Sequence, residues 1–269
     1  MDKVSFKKKI VLLSIFLLIP DLNVRPYSKN FILVPPISES LLSRIEKISR
    51  SHITINLMDN WVNDSLAALL KGRKSLKYNI VVSGEIDGLR VDNLKQLSFT
   101  KMEYVVDRFV NRKFLSGLER LKPALVSLTF KRLPERFEVE ELRESRIREI
   151  TLILDSYATK EFISRLEDFS DFRTNVKVTD TVGFSNICSE VIEGKILHII
   201  YDSRIMGTGE ENLEILSKCR HRMIYEIPNK TYYNNFLQFI KSGIENLNIY
   251  YDQKPARDDI IYWILKTDP

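Results

Sequence analysis

One spacing of apolar residues recurs along the chain. The segment "LVSLTF" places Leu125, Leu128 and Phe130 at relative positions 1, 4 and 6. The same spacing returns in "LKQLSF" (Leu94, Leu97, Phe99), "IREITL" (Ile147, Ile150, Leu152), "ILHIIY" (Ile196, Ile199, Tyr201) and "IENLNI" (Ile244, Leu247, Ile249). Positions 4 and 6 have the period of two expected of a strand packed on one face. Less regular copies surround Val176 and Met223, and "HITINL" and "YNIVVSG" read as strands upstream. From Ile150 onward the central apolar residues repeat at about 24 residues, within the range of repeat architectures. The first half is irregular.

Between these segments the apolar period lengthens to that of a helix. Trp61, Val62, Leu66, Leu69 and Leu70 share one helical face, as do Met102, Val105, Val106, Phe109 and Val110. Phe162 to Phe169, Phe184 to Ile192 and Tyr233 to Ile240 carry similar stripes, which mark burial against a sheet. A strand, a helix and a return in so few residues predict parallel strands, because each helix carries the chain back. The run "DDIIYWILK" predicts a terminal helix covering the last unit.

The L-x-x-L-x-L pattern over roughly 94–252 resembles the leucine-rich-repeat family. That resemblance implies an α/β repeat solenoid, with a curved parallel sheet lining a concave binding face and helices outside. Where that family places a turn Asn, this chain has Met102, Leu133, Asp155, Arg204, Pro228 and Asp252, so its turn chemistry departs from the pattern. The alternative architecture is a doubly wound α/β domain, which requires near-continuous apolar strands; "LILD" and "LHIIYD" fit it, while "VSLTF" and "VKVTD" alternate.

Composition narrows the function classes. The 269 residues are 44% hydrophobic and 29% charged, with nine Gly and nine Pro, which describes a folded chain rather than a disordered one. Of the net charge of +5, +3 belongs to residues 1–27, where five basic residues face two acidic ones, leaving +2 for the rest. A phosphate-binding footprint needs concentrated positive charge. "KRLPER" and "RESRIRE" are interleaved with Glu, so nucleic acid is not expected as a partner.

Residues 1–28 read as an export signal or N-terminal anchor: a basic head, an apolar run from Ile10 to Ile19, then Pro20 and Asp21. The run is shorter than the roughly 20 residues needed to cross a bilayer, so no stable membrane span is expected. Residues 29–269 are then one α/β domain of an exported protein. Cys188 and Cys219 form no metal-ligand spacing and read as buried thiols, with a disulfide open if the chain is exported. The sequons at Asn63 and Asn229 are short enough to arise by chance.

Candidate chemistry is sparse. Asp155, Asp180, Asp202 and Asp252 follow strands, where carboxylates at one sheet edge could hold a cation or act as acid and base; Asp is also a common turn and cap residue. His52, His198 and His221 pair with no catalytic partner at a known spacing, and read as structural or surface residues. Gly84 with Gly88, and Gly207 with Gly209, lack dinucleotide or P-loop spacing and read as loop glycines. The late aromatics Tyr225, Tyr232, Tyr233, Tyr250, Tyr251, Tyr262 and Trp263 lean towards a protein interface. The sequence therefore predicts a non-enzymatic module, with no catalytic residue, metal or cofactor assigned, that binds another protein through its sheet face. The alternative is a hydrolase-like α/β enzyme using the strand-end carboxylates, with or without a metal.

Overall fold

The structure is a computed structural model; it describes residues 28–48, 51–58, 62–71, 73, 77–84, 88–95, 97–119, 125–154, 159–179, 187–188, 194, 196–202, 222–228, 246–251 and 264. Ten strands are present: β1 (Ser28–Leu33), β2 (Ser51–Met58), β3 (Tyr78–Ser83), β4 (Lys101–Val106), β5 (Leu125–Phe130), β6 (Glu149–Leu154), β7 (Arg173–Val178), β8 (His198–Asp202), β9 (Met223–Pro228) and β10 (Asn246–Tyr251). Helices α1 (Glu39–Ile45), α2 (Asp64–Lys71), α3 (Gly88–Lys95), α4 (Arg112–Glu119), α5 (Arg136–Glu144) and α6 (Lys160–Arg165) alternate with the first seven strands.

Side chains start several of these helices by capping free amides. Ser38 Oγ accepts from Leu41 N at 3.3 Å, Asn63 Oδ1 from Leu66 N at 2.8 Å, Asn111 Oδ1 from Phe114 N at 3.0 Å, and Thr159 Oγ1 from Phe162 N at 3.1 Å. The sequon residue Asn63 thus serves as a helix cap.

Every strand pairs in parallel with its neighbours in the chain, and β1 also pairs with β10, Asn30 opposite Asn248 and Phe31 opposite Ile249. The sheet is a closed barrel in sequential strand order. This overturns the leucine-rich-repeat resemblance and the open solenoid, whose end strands remain unpaired. The doubly wound alternative also fails, since the strand order nowhere reverses.

Alternation along each strand separates two faces. Phe31, Ile55, Ile80, Leu128, Leu152, Val176, Ile199, Ile227 and Ile249 are buried with Leu42, Leu66, Leu115, Leu142 and Phe162 of the helices in one apolar layer outside the barrel. The opposite face, turned to the lumen, carries Asn30, Thr54, Lys101, Glu103, Thr129, Glu149, Asn175, Lys177, Glu226 and Asn248, with a few apolar residues such as Ile32, Val81 and Val105. Closing ten strands gives a wider interior than eight would. Long charged side chains pair along its wall, Lys101 of β4 with Glu149 of β6 and Lys177 of β7 with Glu226 of β9.

Several local expectations change as well. Leu97 and Phe99 follow α3, and the strand lies at Lys101–Val106, within the stripe read as a helix. The sequence reading also lacked β1, the strand that closes the barrel. Cys188 is buried and disulfide-bonded, not a free thiol; the chain's other cysteine, Cys219, lies outside the described residues. So do residues 1–27, the predicted helix over 233–240, and the predicted terminal helix except for Ile264, which is helical.

Candidate functional site in the barrel lumen

The lumen holds two groups of polar side chains, one towards each end of the strands. Towards the N-terminal ends, Lys101 Nζ donates to Glu149 Oε1 at 2.6 Å, and Asn175 Nδ2 donates to the same oxygen at 3.3 Å. Because the amide nitrogen of Asn175 faces a carboxylate, its Oδ1 faces His198 Nδ1, 3.2 Å away. An amide oxygen only accepts, so the imidazole carries its proton on Nδ1. Burial lowers the His198 pKa, Glu149 opposes this, and Arg222, Arg173 and Lys101 reinforce it, so the ring is neutral at pH 7.

The second group lies towards the C-terminal ends of β7 to β10. Lys177 Nζ hydrogen-bonds Glu226 Oε2 and lies 3.3 Å from Asp202 Oδ2. Asn248 Nδ2 donates to Glu226 Oε1 at 3.2 Å, and the Tyr250 hydroxyl lies 3.4 Å from Glu226 Oε2. The ammonium also sits 5.9 Å from the centre of the Tyr250 ring. Asp202 and Glu226 are paired across β8 and β9, which brings two carboxylates side by side. Both are buried, while Lys177 and Tyr250 keep partial exposure.

Burial by itself would lower the Lys177 pKa. Glu226, Tyr250 and Asp202 together outweigh it and hold the pKa well above the usual lysine range. Lys177 is therefore an ammonium at neutral pH, suited to donate a hydrogen bond to a carbonyl oxygen and unsuited to act as an amine nucleophile. With two carboxylates around one ammonium, charge counting leaves one negative charge in the group.

Of the strand-end carboxylates singled out in the sequence, Asp202 joins this group; Asp155, Asp180 and Asp252 lie outside the described residues. Lys177, Glu226 and Asn248 were missed. Each occupies an alternating polar position within a strand, which in an open sheet is a solvated position. His52 is exposed on β2, and His221, Gly207 and Gly209 lie outside the described residues. Gly84, at positive φ, ends β3 and its carbonyl accepts from the Tyr104 hydroxyl, consistent with a turn glycine. The interface reading of the aromatics does not hold for Tyr225 and Tyr251, which are buried, or for Tyr250, which faces the lumen. Among the described residues no group of three or more His, Cys, Asp or Glu is arranged to hold a metal.

Fold and site together define a closed parallel α/β barrel with a charged interior. No protein-family model matches the chain, and no curated protein matches it. Among solved structures it is similar to an HpcH/HpaI aldolase from Desulfitobacterium hafniense DCB-2, at 8% identity over 84% of this chain and 87% of that one, with a TM-score of 0.41. It is also similar to an HpcH/Hpal aldolase/citrate lyase family protein from Burkholderia cenocepacia J2315, at 11% identity over 91% and 92% of the two chains, with a TM-score of 0.38. Likenesses this distant say nothing of the chemistry of this chain. The expectation of a non-enzymatic partner-binding module falls on the chain's own geometry: the sheet face meant to bind a partner is the inner wall of a closed barrel.

Proposed function

We propose that the protein is a barrel enzyme that performs proton-transfer chemistry on a small uncharged carbonyl substrate at the C-terminal end of the lumen. Lys177 donates a hydrogen bond to the substrate's carbonyl oxygen, where negative charge develops, and Glu226, beside Asp202 and Tyr250, exchanges the proton. The observation that supports this reading is the Lys177 ammonium shared between two buried carboxylates, with a hydroxyl in reach of one of them. Parallel eight-stranded barrels place their active sites at the same end, an analogy of fold that adds only modest weight.

The test uses small uncharged carbonyl compounds (acetone, hydroxyacetone, dihydroxyacetone) as probes, with acetate and inorganic phosphate as anionic controls. Thermal shifts report binding, and proton NMR in D2O reports deuterium wash-in at carbon next to the carbonyl. Lys177→Met alone leaves two buried carboxylates facing each other, so the balanced variant Lys177→Gln/Glu226→Gln is the comparison. The wild type is expected to be stabilised by at least one carbonyl probe and to speed wash-in at least 100-fold over buffer, a size typical of one positioned acid or base. The balanced variant should lose both responses. A wild type that no carbonyl probe stabilises, with no exchange above buffer, would leave the group a structural brace and end the proposal.

Export of the chain belongs to the same proposal. A disulfide at Cys188 suits an oxidising compartment and supports it. Protein taken from its native source should resist thiol alkylation until reduced; ready alkylation would count against export.

A further inference from the structure

The end of the barrel opposite the Lys177 group carries a pocket to which nothing above gives a role. It measures ≈ 470 Å³ and lies between the end of α4, the turn from Ser145 to Arg148, and the first residues of β5, β6 and β7. That volume is in the range of small-molecule sites, about 300–1,000 Å³. Its lining is mixed, with one apolar patch: Leu115, Leu118 and Ile147 are buried, and Leu125 is 63% exposed although large and aliphatic.

Three arginines stand around the opening, Arg146, Arg148 and Arg173, all exposed. Arg148 Nη1 donates to the carbonyls of Ser145 and Ile147, each at 2.8 Å, which fixes the side chain without neutralising it. Among the described residues, none of the three forms an ion pair. Two carboxylates also line the pocket. Glu149 is already bound by Lys101 and Asn175, which leaves exposed Glu119 as the one counter-charge.

We propose that this pocket is a second binding site, for a small organic anion whose carboxylate or phosphate head meets the arginines and whose short apolar body covers Leu125 and Leu118. Guanidinium groups bind such oxyanions through paired N–H donors, and an exposed leucine beside them gives the body a surface to bury. The site stands at the N-terminal ends of the strands, apart from the Lys177 group, and the proposal does not rest on that group's role.

The test is calorimetric titration of the full chain with hexanoate and with hexyl phosphate. Inorganic phosphate and hexylammonium serve as head-only and opposite-charge controls. One or both hexyl anions should bind saturably, with the preferred head identifying the ligand class, and phosphate alone should bind at least tenfold more weakly. Hexylammonium should give no saturable heat. The exposed double variant Arg146→Gln/Arg173→Gln, which should fold as the parent does, is expected to weaken binding at least tenfold. Hydrogen exchange should slow at residues 115–119 and 145–148 when the anion is present. No saturable binding of either anion, equal binding of hexylammonium, or undiminished binding in the double variant would each overturn the proposal.

Discussion

Ile249→Pro in β10 is expected to unfold the whole barrel in one step, and not one end of it. Ile249 is completely buried, pairs with Phe31 of β1 on one side and with Ile227 of β9 on the other, and packs in the apolar layer outside the barrel. Proline removes the amide donor needed by the ladder and deletes part of a buried aliphatic side chain. Loss of a buried isoleucine side chain alone costs about 2–5 kcal/mol, and the broken ladder adds about 1 kcal/mol or more. Against a typical domain stability of about 5–15 kcal/mol, that is a large fraction. In a closed barrel the seam is shared by the whole ring. Amides of Leu128 and Phe130 in β5, on the far side of the ring, should therefore lose exchange protection by the same factor as those of β9. An open repeat would fray locally and leave β5 protected.

Glu138→Ala is expected to cost about 1–3 kcal/mol, because it leaves the buried amide of Val110 without its acceptor and the Arg132 guanidinium without its partner. Glu138, in α5, is fully buried, and its oxygens accept from Val110 N at 2.7 Å, from Glu135 N at 2.8 Å and from Arg132 Nη1 and Nη2 at 2.7 and 2.8 Å. It joins the loop after β4, the loop after β5 and the start of α5 in one knot. Burial pushes its pKa up; the hydrogen bonds from Arg132, Val110 and Glu135, with the Arg132 charge, outweigh this and hold it below the ordinary 4.5. A depressed carboxylate pKa contributes stability that is fully present above the unfolded value and is lost as pH falls through the folded one. The melting temperature of the wild type should therefore drop steeply below about pH 4.5, with a flatter profile in Glu138→Gln. Equal acid slopes for the two proteins would remove Glu138 from the account.

Much of the strand–helix order was legible because local apolar periodicity reports it directly. The segments centred on Leu128, Ile150, Val176, Ile199, Met223 and Leu247 are strands β5 to β10, and their parallel direction followed from the short return between them. The error at β4 came from its ambiguous spacing. Met102, Val105 and Val106 fit a helical stripe, while Met102, Tyr104 and Val106 form the buried face of a strand. β1 was missed because "SKNFIL" lacks the recurrent spacing.

Closure was not legible at all, because it depends on a contact between residues more than 200 positions apart, such as Asn30 and Asn248. The polar alternate positions made matters worse. Lys101, Glu149, Lys177 and Glu226 carry no apolar signal, and the ring turns them into the lumen, where they pair. The candidate site was invisible for another reason: Lys177, Asp202 and Glu226 lie on three successive strands, and their meeting depends on the register between those strands, which periodicity does not give. Asp202 alone carried a signal, as a carboxylate at a strand end.

Closure itself is tested most directly by a cross-link across the seam. Asn30 and Asn248 are registered partners whose side chains hydrogen-bond at 3.2 Å, and neighbouring strands lie about 4.8 Å apart, within reach of a disulfide. In the double variant Asn30→Cys/Asn248→Cys, mild oxidation should join the two introduced thiols within one chain, seen by peptide mass mapping, while the linkage at Cys188 stays intact. In an open sheet the same positions would be separated by nine strand spacings of about 4.8 Å, more than about 40 Å. Failure of the introduced thiols to join in a folded, monomeric protein would contradict the barrel.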